Sequence, residues 1–154
     1  MAFSGPLEDR IAIRELMESY ADAISRVDLA DYAKCWADEG AVWSIPWYPD
    51  IGTLEGKDKI LATWVAAMKV FAGDSFMMTP GSIEVHGDTA IATAHSSEVY
   101  DIGDTVYRDR GYYEDECVKV DGVWYYRKKT FHLIHRQTFA ASEADREFTG
   151  KTEP

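Results

Sequence analysis

Four stretches of the chain bring together side chains able to move protons or hold a flat ligand. The first is "ATAHSSEVY", residues 92–100, whose alternating character reads as a strand. Its two faces would carry Ala94, Ser96, Glu98 and Tyr100 on one side and His95, Ser97 and Val99 on the other. A carboxyl group two residues from a phenol, enclosed among apolar neighbours, has its pKa raised by desolvation and can transfer protons near neutral pH. The second stretch is "KKTFHLIHRQ", residues 128–137, where His132 and His135 are three apart and so point to opposite faces of a regular strand. The core parity of Trp124 and Tyr126 extends to His132, which makes it the expected proton shuttle; a bulge would exchange the two histidines. The third, "YYEDECVKV", residues 112–120, alternates so that Glu116 shares a face with Val118 and Val120, which are expected to be core. The fourth, "VWSIPWYPDIG", residues 42–52, holds Trp43, Trp47 and Tyr48 around two prolines. Stiffened by Pro46 and Pro49, these rings suit the wall of a pocket for an apolar or aromatic small molecule.

The elements that must position these groups follow from periodicity. Pro6, Glu8 and Asp9 mark a helix start, and Ile13, Met17, Tyr20, Ile24 and Val27 form one apolar stripe that turns Tyr20 inward. Asp22 lies on the opposite side of that helix, toward solvent. A second helix opens with Asp28 as cap and Asp31 in the capping-box position, and Gly40 is its expected stop. A brief strand "AVWSI" follows. Ile60, Leu61, Trp64, Val65, Met68 and Phe71 predict a third helix ending at Gly73. The turn signals "HGD", "DIGD" and "VDGVW" then divide the remaining chain into four consecutive strands. Helices first and an antiparallel meander afterwards predict an α+β fold, a strongly bent sheet with helices over one face.

Composition narrows the partners. The 154 residues fit one domain, 1–154, with a polar tail from about 140 to 154 that a neighbouring subunit can hold. A net charge of -11 repels phosphate backbones and anionic lipid surfaces, so neither nucleic acid nor membrane is expected as a partner. Cys35 and Cys117 lack metal-type spacing and read as buried thiols of a reducing compartment, and no leader or membrane span is evident, so a cytoplasmic location is expected. The four histidines lack paired ligand spacing, and no metal is expected.

The texts "IRELMESYADAISRVDLADYAKCWADEGAVW", "GTLEGKDKI", "IEVHGDTAIATA" and "YYEDECVKVDGVWYYRKK" resemble, in order and spacing over about residues 8 to 138, the SnoaL-like branch of the nuclear transport factor 2 superfamily. The resemblance implies a cone of curved antiparallel sheet, closed by three helices from the N-terminal half and holding a deep pocket. It also implies a homo-oligomer, dimer or trimer, and chemistry without cofactor. Residue by residue, it turns Glu98 toward the pocket as the acid or base, with Tyr100 beside it. Tyr20 falls where related isomerases and dehydratases use a phenol, and Glu116 where ketosteroid isomerase has an oxyanion-hole acid. Ser25 and Met78 stand where dehydratases carry their aspartate and histidine, so that acid–base pair is replaced and these positions become ligand contacts. The expected function is a cofactor-independent lyase or isomerase for an aromatic or polycyclic molecule. The alternatives are a non-catalytic binding or scaffold protein and the small subunit of a ring-hydroxylating oxygenase.

Overall fold

The computed structural model describes residues 2–143. Helix α1 (Leu7–Arg26) buries Ile13, Leu16, Met17, Tyr20 and Ile24, and Val27 ends it in the left-handed conformation, exposed rather than on the inward stripe. Asp28 caps α2 (Leu29–Lys34) by accepting from the Asp31 N–H at 3.0 Å. This helix stops well before Gly40, because Cys35 and Ala37 turn their backbones to Tyr126 on the last strand: Tyr126 donates to Cys35 O and Ala37 donates to Tyr126 O. Helix α3 (Lys57–Met68) likewise ends ahead of Gly73, since the next strand has begun by Ala72.

The long strands β4 (Ala72–His86), β5 (Thr89–Ile102), β6 (Thr105–Val120) and β7 (Val123–Ala140) form the expected meander. Three short strands extend it: β1 (Phe3–Ser4), β2 (Val42–Ile45) and β3 (Gly52–Glu55), of which β1 and β3 have no counterpart in the sequence reading. The order is β1-β4-β5-β6-β7-β2-β3, antiparallel except where β1 meets β4 and β2 meets β7. The register of β4 shifts between Ala72 and Ser75 and between Pro80 and Ile83, and β7 carries an extra residue at two places along β6. Such bulges bend strands and increase their twist, so the sheet curls around α1 and α3 without closing. Its concave face holds the core, including Ala92, Ala94, Tyr113, Cys117, Trp124 and Phe131. Cys35 and Cys117 are buried free thiols. No helix among the described residues is long and apolar enough to cross a membrane. Of the polar tail, only the stretch through Glu143 lies within the described residues.

Candidate active site

A cavity of about 120 Å³ lies between the curled sheet and the helices. Its walls are mostly apolar: Ile24 from α1, Trp43 and Ile45 from β2, Trp64 and Met68 from α3, Phe76 from β4 and Phe131 from β7. Polar groups enter at two places. Tyr20 lies at the inner end, 1% exposed, with its phenol pKa pushed well above the usual value by burial. At the outer end stand Tyr48, Glu98, Tyr100 and Asp109.

The outer group is organised by strand register. Phe76, Glu98, Asp109 and Arg136 face one another in a transverse row across β4, β5, β6 and β7. Side chains directly opposite on one sheet face sit about 5 Å apart at Cβ, so the two carboxylates are neighbours. Arg136 neutralises one of them. Its Nε donates to Asp109 Oδ1 at 2.8 Å and its Nη2 to Oδ2 at 2.6 Å, a bidentate pair in which Asp109 is 3% exposed. The same Nη2 lies 2.6 Å from the Tyr48 hydroxyl and 3.0 Å from that of Tyr100, so its two hydrogens are shared among three acceptors. These bonds hold the guanidinium firmly protonated, with the Asp109 contact the largest influence.

Proton directions follow from that geometry. Tyr100 donates its hydrogen to Asp109 Oδ2 at 3.0 Å, and burial pushes its pKa far above the usual phenol value, so it stays a neutral donor committed to Asp109. The Tyr48 hydroxyl accepts from Arg136 and, among the described residues, has only a long contact, 3.4 Å, to Tyr100 as an outlet for its own hydrogen. A ligand acceptor in the cavity would compete well for it. Phe71 and Tyr107 stack on either side of the Tyr100 ring, with centroids at 4.4 and 5.2 Å, and fix its orientation. Glu98, half-buried, and Asp109 also border a second cleft that contains His135, so the carboxylate row forms a wall between two hollows.

Several expected contacts lie elsewhere. His132 projects from the convex face, 43% exposed, and its Nε2 lies 2.9 Å from Glu114. The cause is a bulge at Arg127 and Lys128, which reverses the parity of β7 so that Lys129, Phe131 and Leu133 turn inward. A second bulge at Ile134 reverses it again and brings in Arg136 in place of His135. Glu116 is also on the convex face, paired with Arg127 and Lys128, because Tyr113, Asp115 and Cys117 supply the buried set of β6 while Val118 and Val120 are partly or largely exposed. Trp47 points to solvent, 51% exposed: the tight turn closed by Tyr48 N–H on Ile45 O sends Tyr48 inward and its neighbour out. Ser25 is tied to β4, donating to Phe76 O and accepting from Phe76 N–H, both at 3.0 Å. Met78 packs against the core beside the cavity rather than lining it. Trp43, Tyr48, Tyr20, Glu98 and Tyr100 are lining residues.

Beneath the cavity floor lies an arrangement that the sequence reading missed. Lys129 and Asp115 are both fully buried, with Nζ 3.0 and 2.9 Å from the two carboxylate oxygens. The ammonium also sits 3.7, 4.4 and 4.6 Å from the ring centroids of Tyr126, Tyr113 and Tyr20. Burial drives both groups toward their neutral forms, while their mutual contact opposes it. The only clue in the sequence was a charged residue in each of two strands that pair, with no parity to mark them as inward.

A curved, helix-backed antiparallel sheet around an apolar pocket with a few ionisable groups defines the nuclear transport factor 2-like class of α+β proteins. The SnoaL-like domain family matches residues 5–130, and the chain belongs to it. Among solved structures, the chain is similar to a protein provisionally described as a scytalone dehydratase from Novosphingobium aromaticivorans (20% identity, 85% of this chain and 87% of that one, TM-score 0.76). It is similar to the hexachlorocyclohexane dehydrochlorinase LinA-type3 from Novosphingobium barchaimii (20%, 86% and 91%, 0.76). It also resembles a protein provisionally described as an aromatic ring hydroxylase from Novosphingobium aromaticivorans (20%, 89% and 96%, 0.76). At these identities the likeness is one of fold. No curated protein matches the sequence.

Proposed function

We propose that the protein is a cofactor-independent lyase or isomerase acting on a single-ring aromatic or ring-hydroxylated small molecule. The observation that carries this reading is the pairing of Glu98 with an Arg136-neutralised Asp109 on the wall of an otherwise apolar cavity. Two adjacent carboxylates placed in different environments can take different roles, one fixed as an anion and the other exchanging protons. Glu98 is the acid or base. Tyr48, backed by the Arg136 guanidinium, is the donor to a substrate oxygen, and Tyr20 contacts the inner end of the ligand. Tyr100 acts as a positioning residue between Asp109 and Tyr48. His132, on the convex face, has no part in it.

In an elimination, Glu98 would remove a proton from carbon, the C–H electron pair would become the new double bond, and the adjacent C–O bond would break. The departing hydroxyl, hydrogen-bonded by Tyr48, would recover the proton from Glu98 and leave as water. Size supports a single ring, because a cavity of about 150 Å³ accommodates benzene and this one is slightly smaller. Polycyclic substrates would require the walls to part. The lyase names among proteins of like fold support the reaction type, and the described aromatic ring hydroxylase keeps the oxygenase-subunit alternative in view.

The experiment is turnover of a panel of hydroxylated cyclohexadienes and dihydrophenols by the wild type, Glu98→Gln and Tyr48→Phe. Glu98→Gln is expected to lower kcat by about 10²- to 10⁴-fold, the range for loss of a general acid or base. Undiminished turnover in that variant would refute the assignment. A second reading, a homo-oligomeric binding protein that holds its ligand without chemistry, is favoured by the engagement of Ser25 with the backbone of Phe76, which removes that position from the cavity. It is distinguished by ligand binding unaccompanied by any product.

A further inference from the structure

Gly111 stands in the interior of β6 without a conformational reason. Its backbone is not left-handed, unlike that of Gly87, Gly103 and Gly122 at the turns, and a glycine inside a strand costs stability relative to alanine. The reason is spatial. A Cβ at this position would lie 2.6 Å from Ser96 Oγ and 2.9 Å from Phe131 Cζ, and closer still to Phe131 Cε2. The edge of the Phe131 ring therefore occupies the place where a side chain of residue 111 would stand.

Strand register puts this ring next to the reactive groups. On the concave face, the row inward of Glu98, Asp109 and Arg136 is Ser96, Gly111 and Leu133, and the row inward of that is Ala94, Tyr113 and Phe131. Same-face rows are about 7 Å apart, and Phe131 leans outward across the bare position toward the carboxylates. Phe131 lines the cavity, whereas Gly111 and Ser96, beneath its edge, do not. Tyr113 blocks the ring's retreat inward, with the two centroids 5.1 Å apart. A methyl group at position 111 would drive the ring edge up into the cavity.

We infer that Phe131, laid over Gly111, is the platform on which the substrate ring rests, and that this pair sets the upper size of the ring system accepted. The inference rests on the single-ring reading above and adds the residues that enforce it. A substrate ring on Phe131 is held one row inward of Glu98, which leaves the carboxyl beside a ring carbon or its substituent. Offset or edge contact between the two rings favours a flat aromatic guest. A shorter side chain at position 131 would uncover the space over Gly111 and lengthen the cavity, while a methyl group at 111 would shorten it.

The test is calorimetric binding of phenol and 2-naphthol, at a pH where both are protonated, to the wild type, Gly111→Ala, Phe131→Leu and the double variant. One methyl group gained or lost in an apolar pocket is worth about ten-fold or more, so Gly111→Ala is expected to bind phenol about ten-fold more weakly. Leucine ends well short of the place that Phe131 Cζ occupies, so the double variant should bind phenol within about two-fold of Phe131→Leu. Phe131→Leu itself should raise the affinity ratio of 2-naphthol to phenol about ten-fold, a change of selectivity that a merely structural role would not produce. If Gly111→Ala does not fold, that ratio decides. Phenol affinity in Gly111→Ala equal to that of the wild type, a loss that persists in the double variant, or an unchanged ratio in Phe131→Leu overturns the platform and leaves the single-ring cavity standing. Failure of phenol to bind the wild type overturns both.

Discussion

Removing the buried Lys129 ammonium isolates the energetics of the cavity floor. In Lys129→Met a side chain of similar length replaces the cation, and Asp115 keeps no hydrogen-bond partner among the described residues for its two oxygens, which lie 2.9 and 3.0 Å from Nζ in the wild type. Breaking a buried pair by deleting one member costs about 3–5 kcal/mol, because an uncompensated charge or its protonation must be accommodated. For a chain of this size each kcal/mol moves Tm by about 2–4 °C, so a fall of roughly 6–20 °C is expected. The pH dependence has a definite sign. Burial already raises the Asp115 pKa above 3.8, and loss of the cation raises it further. A carboxyl whose folded pKa lies above its unfolded value favours the fold most at low pH, and that contribution is lost as pH rises. The deficit of Lys129→Met against wild type should therefore shrink as pH falls from neutrality toward about 4. Replacing both members, in Asp115→Val with Lys129→Met, should recover most of the loss, since a well-packed apolar pair is often as stable as a buried ion pair. Urea unfolding followed by circular dichroism across that pH range is the assay. Single variants within about 1 kcal/mol of wild type, or a double variant no more stable than Lys129→Met, would refute the reasoning.

The other expectations are more local. Arg136→Met should destabilise the protein by about 3 kcal/mol in urea unfolding by stranding buried Asp109, and should weaken phenol binding by releasing Tyr48. Ser25→Ala should cost about 1–2 kcal/mol through its two bonds to Phe76 while leaving phenol affinity unchanged by calorimetry, which separates this position from any ligand role. Asp9, held below the usual carboxylate range first by the Trp124 indole N–H and then by Lys119, contributes stability above about pH 4 that is lost as pH falls through its lowered pKa. Asp9→Asn should accordingly flatten the acid limb of the stability profile measured by thermal unfolding.

Where a single periodicity governed, the sequence was readable. The apolar stripe of α1 carried Tyr20 to the core, and the alternation of β5 separated Glu98 and Tyr100 from His95. Both rest on one face being plainly apolar. In β6 that contrast fails, because Asp115 sits on the buried face and Val118 and Val120 do not, and either parity of "YYEDECVKV" looks equally amphipathic. Asp115 is tolerated inside only because Lys129 reaches it from the adjacent strand, a condition set by pairing rather than by local pattern. In β7 the parity of Trp124 and Tyr126 was read correctly, but a first bulge, which leaves no mark in composition, took His132 out of the cavity and turned Lys129, Phe131 and Leu133 inward, and a second restored the original parity, which leaves His135 outside and Arg136 inside. The same applies to Trp47 and Tyr48: two adjacent rings in a turn must point apart, and turn geometry decided which one serves the pocket.

The free margin of β4 is occupied at three points of different kinds. The Ser25 hydroxyl stands in for a strand at Phe76, satisfying both its N–H and its carbonyl. Pro80 has no N–H to offer, and β1 pairs with Ile83 and Glu84, with Ile83 N–H donating to Ala2 O at 2.8 Å. A sheet margin left bare recruits strands from other molecules. Shortening the chain by its first five residues, or lengthening Gly5, whose added Cβ would lie 2.6 Å from that of Val85, would strip part of this protection and invite self-association into larger particles. The amino-terminal segment, remote from the cavity, thereby bears on whether the protein remains dispersed at high concentration.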